Sequence, residues 1–141
     1  MYKQFIRTSA QAVVHLLLHC AHRDNVFLQS EYVILGHVLK ALHAERHINL
    51  IDEIENYYAY RNDMGDENGY LSFLVRQIGS CNRLSLYWHC VQLAHTDDMV
   101  SFQEETLLSK IAKLLYINSA AAHTLHVLAR ENGALVREKC F

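Results

Sequence analysis

Three features of the sequence predict an all-α fold, a single domain of about seven helices. Proline is absent from the 141 residues, and glycine is scarce, falling mainly where segments end, at Gly65, Gly69, Gly79 and Gly133. A chain without the residue that removes a backbone donor and breaks a helix has little to interrupt it. In one segment after another, apolar residues recur at intervals of three and four, the spacing of one helical face.

The first helix is expected over about 3–22, with Ile6, Ala10, Val13, Leu17 and Ala21 on one side. A second, about 29–43, carries the stripe Ile34, Leu35, Val38, Leu39 and Leu42. Residues 48–61 form a third, with Ile51, Ile54, Tyr57 and Tyr58 facing inward, and the stretch Asn62 to Gly69 reads as a solvated loop. A short helix follows from Tyr70 to Ile78 and ends at Gly79. The next, about 83–95, is apolar on most sides, including Leu84, Trp88 and Val91, which predicts a central position. Residues 101–116 have the cleanest pattern, Leu107, Leu108, Ile111, Leu114 and Leu115. That helix opens with Ser101-Phe102-Gln103-Glu104, a capping box in which serine and glutamate satisfy each other's backbone amides. The last helix starts at Asn118 as N-cap and ends at Gly133.

An internal repeat organises these elements. Ala21-His22-Arg23-Asp24 recurs as Ala94-His95-Thr96-Asp97, and a glutamate follows each aspartate, at Glu31 and Glu104. A shift of 73 residues pairs Leu18–Leu42 with Val91–Leu115 and gives seven identities in 25 positions, including Leu35/Leu108 and Lys40/Lys113. Average composition would supply roughly two. The expected unit is helix, acidic turn, helix, with repeats at about 3–43 and 83–116 and a pseudo-twofold relation between them.

Composition narrows the function classes. Half of the residues are hydrophobic and the formal charge is −2, so neither disorder nor a nucleic-acid footprint is expected. The longest apolar run, Val13–Leu18, is interrupted by His15 and is far short of the ~20 residues of a membrane span, leaving only peripheral association with a membrane. Four cysteines without CxxC spacing and the lack of a leader pattern point to a reduced, cytoplasmic protein. Cys20 and Cys90 are expected as small buried hydrophobes. A carboxylate-bridged di-iron bundle needs Glu-x-x-His pairs, and the chain contains none.

The duplicated turn is the leading candidate site. An aspartate at a helix C-terminus opposes the helix dipole, so Asp24 and Asp97 need an explanation that Glu31 and Glu104, in first turns, do not. An Asx turn is one explanation. A site for a hard divalent cation, Ca²⁺ or Mg²⁺, is the other, because several carboxylate oxygens would converge on one loop. On the EF-hand frame Asp97 and Glu104 fall at the fifth and twelfth positions, but Leu93 and His95 occupy the leading ligand positions, so any cation would be held weakly. A second candidate is His15, His19 and His22, spaced to share one helical face. They would either ligate zinc or, lying opposite the apolar stripe, form a solvent-facing strip.

An apolar helix ending in a small residue, an Asp-containing turn, a hydrophobic residue, a serine cap and a following glutamate, all duplicated, resembles the TerB-like proteins of bacterial tellurite resistance. The related domain of some membrane-anchored J-domain co-chaperones is similar. His95 to Glu105 matches the pattern best, whereas Asn25 and Asp98 stand where the family usually has glycine, and Leu28 replaces the serine cap. The resemblance implies an all-helical, non-enzymatic, stress-associated domain. It also implies divalent-cation binding by the acidic residues of the turns, here Asp24, Glu31, Asp97, Asp98 and Glu104. The expected role is a binding or scaffold protein for an unidentified protein partner, with no cofactor beyond that cation. A metal-free interaction module and a histidine-based zinc protein are the alternatives.

Overall fold

A helix buried on all sides along most of its length, rather than an amphipathic one, lies at the centre of the described residues. The computed structural model describes residues 2–21, 29–41, 48–79, 83–95 and 102–139. Among them are seven α-helices and no strand: α1 Ser9–Ala21, α2 Gln29–Ala41, α3 Leu50–Tyr60, α4 Glu67–Ile78, α5 Arg83–Ala94, α6 Phe102–Leu114 and α7 Ser119–Lys139. Every residue of α1 from Ala12 to Ala21 is buried, and α2, α3, α4, α5 and α6 all pack against it. The central position expected for α5 belongs to α1. α5 lies beside it, also touching α2, α6 and α7, and leaves Leu84 half exposed.

Local chemistry decides where the helices begin. α1 starts at Ser9 rather than near residue 3, because Thr8 and Gln11 form a capping box: Gln11 N–H donates to Thr8 Oγ1, and Gln11 Oε1 accepts from the amides of Arg7 and Thr8. Residues Tyr2–Gln4 before it form a single 3-10 turn. Asn49 Oδ1 accepts the Asp52 amide to cap α3. The stretch expected as a loop from Asn62 to Gly69 is shorter than that. Arg61–Asp63 is a 3-10 turn, and α4 begins at Glu67, where the Asp66 carboxylate accepts the amides of Asn68 and Gly69. Helix α4 ends at Gly79, as expected, with a positive φ of 69° that glycine adopts without a Cβ clash. Asn118 caps α7 through the Ala121 amide at 2.7 Å. That helix runs through Gly133 to Lys139; one interior glycine costs only about 1 kcal/mol, which the helix formers around it offset.

The apolar stripes mostly form the core. Leu107, Leu108, Ile111 and Leu115 are all buried, as are Leu35, Val38 and Leu39 of α2. Residues 73 apart share this environment: Ala21 with Ala94, Leu35 with Leu108, and Val38 with Ile111 are buried in both members. Cys20 and Cys90 are buried thiols outside any disulfide. Helix α3 departs from its expected face. Ile51 and Tyr58 are exposed, while Glu53, Tyr57 and Tyr60 are buried. The inward face is set by two polar anchors on α1.

Candidate functional site

His15 and His19 are those anchors. Spaced i, i+4 on α1, they point the same way, and both are buried, not the solvent-facing strip expected of them. His22 lies outside the described residues. Helix α3 brings Glu53, Tyr57 and Tyr60 at i, i+4 and i+7, and the first turn of α4 brings Glu67 and Tyr70 at i and i+3. Each histidine is held in the same manner. His15 places Nδ1 2.6 Å from the Tyr60 hydroxyl and Nε2 2.5 Å from Glu53 Oε2. His19 places Nδ1 2.8 Å from the Tyr57 hydroxyl and Nε2 3.0 Å from Glu67 Oε2.

The carboxylates are anchored in turn. Gln11 Nε2 donates to Glu53 Oε1 at 3.1 Å, and Lys110 Nζ of α6 donates to Glu67 Oε1 at 3.2 Å. Tyr60 and Tyr70 share a hydroxyl–hydroxyl bond of 2.5 Å. Tyr2 from the N-terminal turn packs edge-on against the Tyr70 ring. Burial raises both phenols: Tyr60 is pushed well above its ordinary 10 despite its bond to Tyr70, and Tyr70 is raised likewise.

Directionality gives this array a specific chemical property. An imidazole carrying its proton on Nε2 donates to the carboxylate and accepts from a phenol at Nδ1, so Tyr70 donates to Tyr60 and Tyr60 to His15.

The His19 half opens to the surface. A pocket of about 240 Å³ is lined by His19, Tyr57, Arg61, Asn62, Met64, Gly65 and Glu67. Arg61 lies over the Tyr57 and Tyr58 rings at 6.0 and 5.6 Å, which holds a guanidinium in the same pocket lining as Glu67.

A second titratable cluster joins α5 to α7. His95 Nε2 and His126 Nδ1 are 3.1 Å apart, and His126 Nε2 is 3.1 Å from the Tyr87 hydroxyl. Burial is the main cause lowering the pKa of each histidine, with the Arg130 charge adding to it. Burial also raises the Tyr87 phenol to about 12.

Of the residues predicted for a cation site, Asp24, Asp97 and Asp98 lie outside the described residues, as does the side chain of Glu31. Glu104 is 8 % exposed in the first turn of α6. Ser101, expected to share a capping box with it, lies outside the described residues. Among the described residues no group of three or more His, Cys, Asp or Glu is placed to hold a metal, and His15 and His19 are engaged by phenols and carboxylates rather than gathered for zinc. Sequence reasoning missed Glu53, Glu67, Tyr57, Tyr60, Tyr70 and Lys110 as site residues. The available signal was the matched helical spacing of the two histidines and of Glu53, Tyr57 and Tyr60.

These elements define an all-helical domain built around a buried helix, with a paired histidine–carboxylate array between α1, α3 and α4. The family model described as tellurite resistance protein TerB matches residues 10–127, and the chain belongs to that family. The expected family resemblance is therefore correct. Neither the curated proteins nor the solved structures gave a match. No helix of the described residues is long and apolar enough to cross a membrane.

Proposed function

We propose that this TerB-family chain is a non-enzymatic, cytoplasmic, stress-associated binding domain that takes one polar side chain of a protein partner into the pocket beside Glu67. The stress association comes from the character of the family. The observation that carries the binding reading is the pocket wall itself: His19 and Glu67 are locked between Tyr57 and Lys110, so a charged surface is held rigid before any partner arrives. A volume of about 240 Å³ is below the roughly 300–1,000 Å³ of small-molecule sites and suits a side chain. Arg61 and Asn62 can donate to an incoming polar group while Glu67 accepts.

A panel of N-acetyl amino-acid amides, added to the ¹⁵N-labelled chain, tests this. Saturable amide shifts at Asn62 and Gly65 with a polar member, lost in Glu67→Gln, are expected. No shift with any member at millimolar concentration would remove the pocket as a recognition site.

The buried carboxylate of Glu104 favours a second reading, a weak Ca²⁺ or Mg²⁺ site at the turns formed by Asp24, Glu31, Asp97, Asp98 and Glu104. A cation that binds only the folded state must raise the melting temperature, and Asp97→Ala must abolish the rise. An unchanged melting temperature at millimolar metal would sink it.

A further inference from the structure

A pocket of about 330 Å³ lies among the end of α4, the start of α5 and the end of α6, away from the histidine array. Arg76 and Arg83 line it with the Ser72 hydroxyl, over an apolar floor of Val75 and Leu114, and Tyr116 stands at its edge. Three features there are unexplained by folding alone.

The first is charge. Arg76 in the last turn of α4 suits that helix's dipole, but Arg83 is the first residue of α5, whose first turn has no acidic residue. A cation at a helix N-terminus is electrostatically misplaced unless an anion shares the site. Among the described residues no carboxylate lies within salt-bridge distance of either guanidinium.

The second is the backbone of Tyr116, the one described non-glycine residue with positive φ, at 59°. It closes α6 in a Schellman-type cap, with Ile117 N–H donating to Ala112 O at 2.9 Å and Tyr116 N–H to Lys113 O. Glycine or asparagine is the usual residue in this conformation, and a bulkier one costs about 1 kcal/mol.

The third is exposure. The Tyr116 ring is 84 % exposed, so core burial does not offset that cost, and its described ring contact is Arg83, 5.3 Å from the centroid. A strained, exposed aromatic held against the Arg83 guanidinium, in a pocket that Arg76 also lines, is a ligand platform more readily than a cap.

We propose that this pocket binds a nucleoside monophosphate. Arg76 and Arg83 take the phosphate dianion, assisted by Ser72 and the α5 N-terminus, and the base stacks on the open side of the Tyr116–Arg83 pair. The volume falls within the range for ligands of this size.

Calorimetric titration of the full chain with adenosine 5′-monophosphate, ribose 5-phosphate and inorganic phosphate tests the assignment. The nucleotide should bind about tenfold or more tightly than either phosphate alone, the ratio one stacked ring is expected to supply. Arg83→Gln should weaken all three ligands. Tyr116→Asn places a residue suited to positive φ at the cap, so its melting temperature should hold or rise while nucleotide affinity falls to that of ribose 5-phosphate. A purely structural Tyr116 would show the first effect without the second. Three equal affinities, nucleotide binding unchanged in Arg83→Gln or in Tyr116→Asn, or no saturable binding of any ligand at millimolar concentration would each overturn the proposal.

Discussion

At the scale of single residues, the buried carboxyl group of Glu53 carries the clearest consequence. Removing one partner of a buried, hydrogen-bonded pair costs about 3–5 kcal/mol, because the other is left without compensation. Glu53→Ala strips His15 Nε2 and Gln11 of their acceptor at once, so it should lower the melting temperature by roughly 6–20 °C for a chain of this size. Glu53→Gln keeps an acceptor and should cost far less. A fall of under a degree in the alanine variant would show that the pair contributes nothing. The buried phenols offer an independent measurement. Of eight tyrosines, Tyr60 and Tyr70 should stay protonated well beyond the ordinary pKa of 10, and Tyr87 should titrate near 12, as read by phenolate absorbance. Complete ionisation of all eight near pH 10, with the chain still folded, contradicts that burial. This site was half legible in the sequence. The shared face of His15 and His19 is plain from spacing, but three imidazoles opposite an apolar stripe look like a solvent strip. Only the arrival of Glu53 and Glu67, 38 and 48 residues further on, makes that face an interior one.

At the scale of elements, the stripes proved more informative than the termini. α6 buries Leu107, Leu108 and Ile111 of its predicted stripe, with Leu115 buried just past its end and Leu114 only partly covered, because one continuous apolar face has one way to meet a core. The start of α1 was missed because the helical spacing continues backward through Ile6, whereas the capping box at Thr8 and Gln11 begins the helix at Ser9. The start of α4 was missed for a related reason. Gly65 and Gly69 make the stretch look like loop, yet Asp66 already caps a helix that contains Gly69. The capping energies follow. Asn118→Ala frees the Ala121 amide and should cost about 1 kcal/mol in chemical denaturation, with Asn118→Asp recovering most of it. Equal losses in the two variants would mean that the cap is not what the asparagine supplies.

At the scale of the whole molecule, stability should depend on pH through the α5–α7 junction. The folded pKa of His95 and of His126 is lowered from 6.5, so below that pH the unfolded chain binds protons that the folded chain resists. Stability is then complete above pH 6.5 and declines as the pH falls toward the depressed folded values; lowered His89 adds in the same direction. Urea unfolding across this range should show the decline, and His126→Gln should flatten it by removing one titrating group and its repulsion on the other. An identical slope in that variant would refute the assignment. The complete enclosure of α1 has a different consequence, one for biosynthesis. Ala12–Ala21 leaves the ribosome before the segments that will cover it, and at roughly 5–20 residues per second the wait until α6 emerges lasts several seconds. During that interval a stretch with no solvent face of its own must be shielded or lost to aggregation. Yield in the cell should therefore respond to translation speed and to holding factors more steeply than the equilibrium stability of the finished chain would suggest.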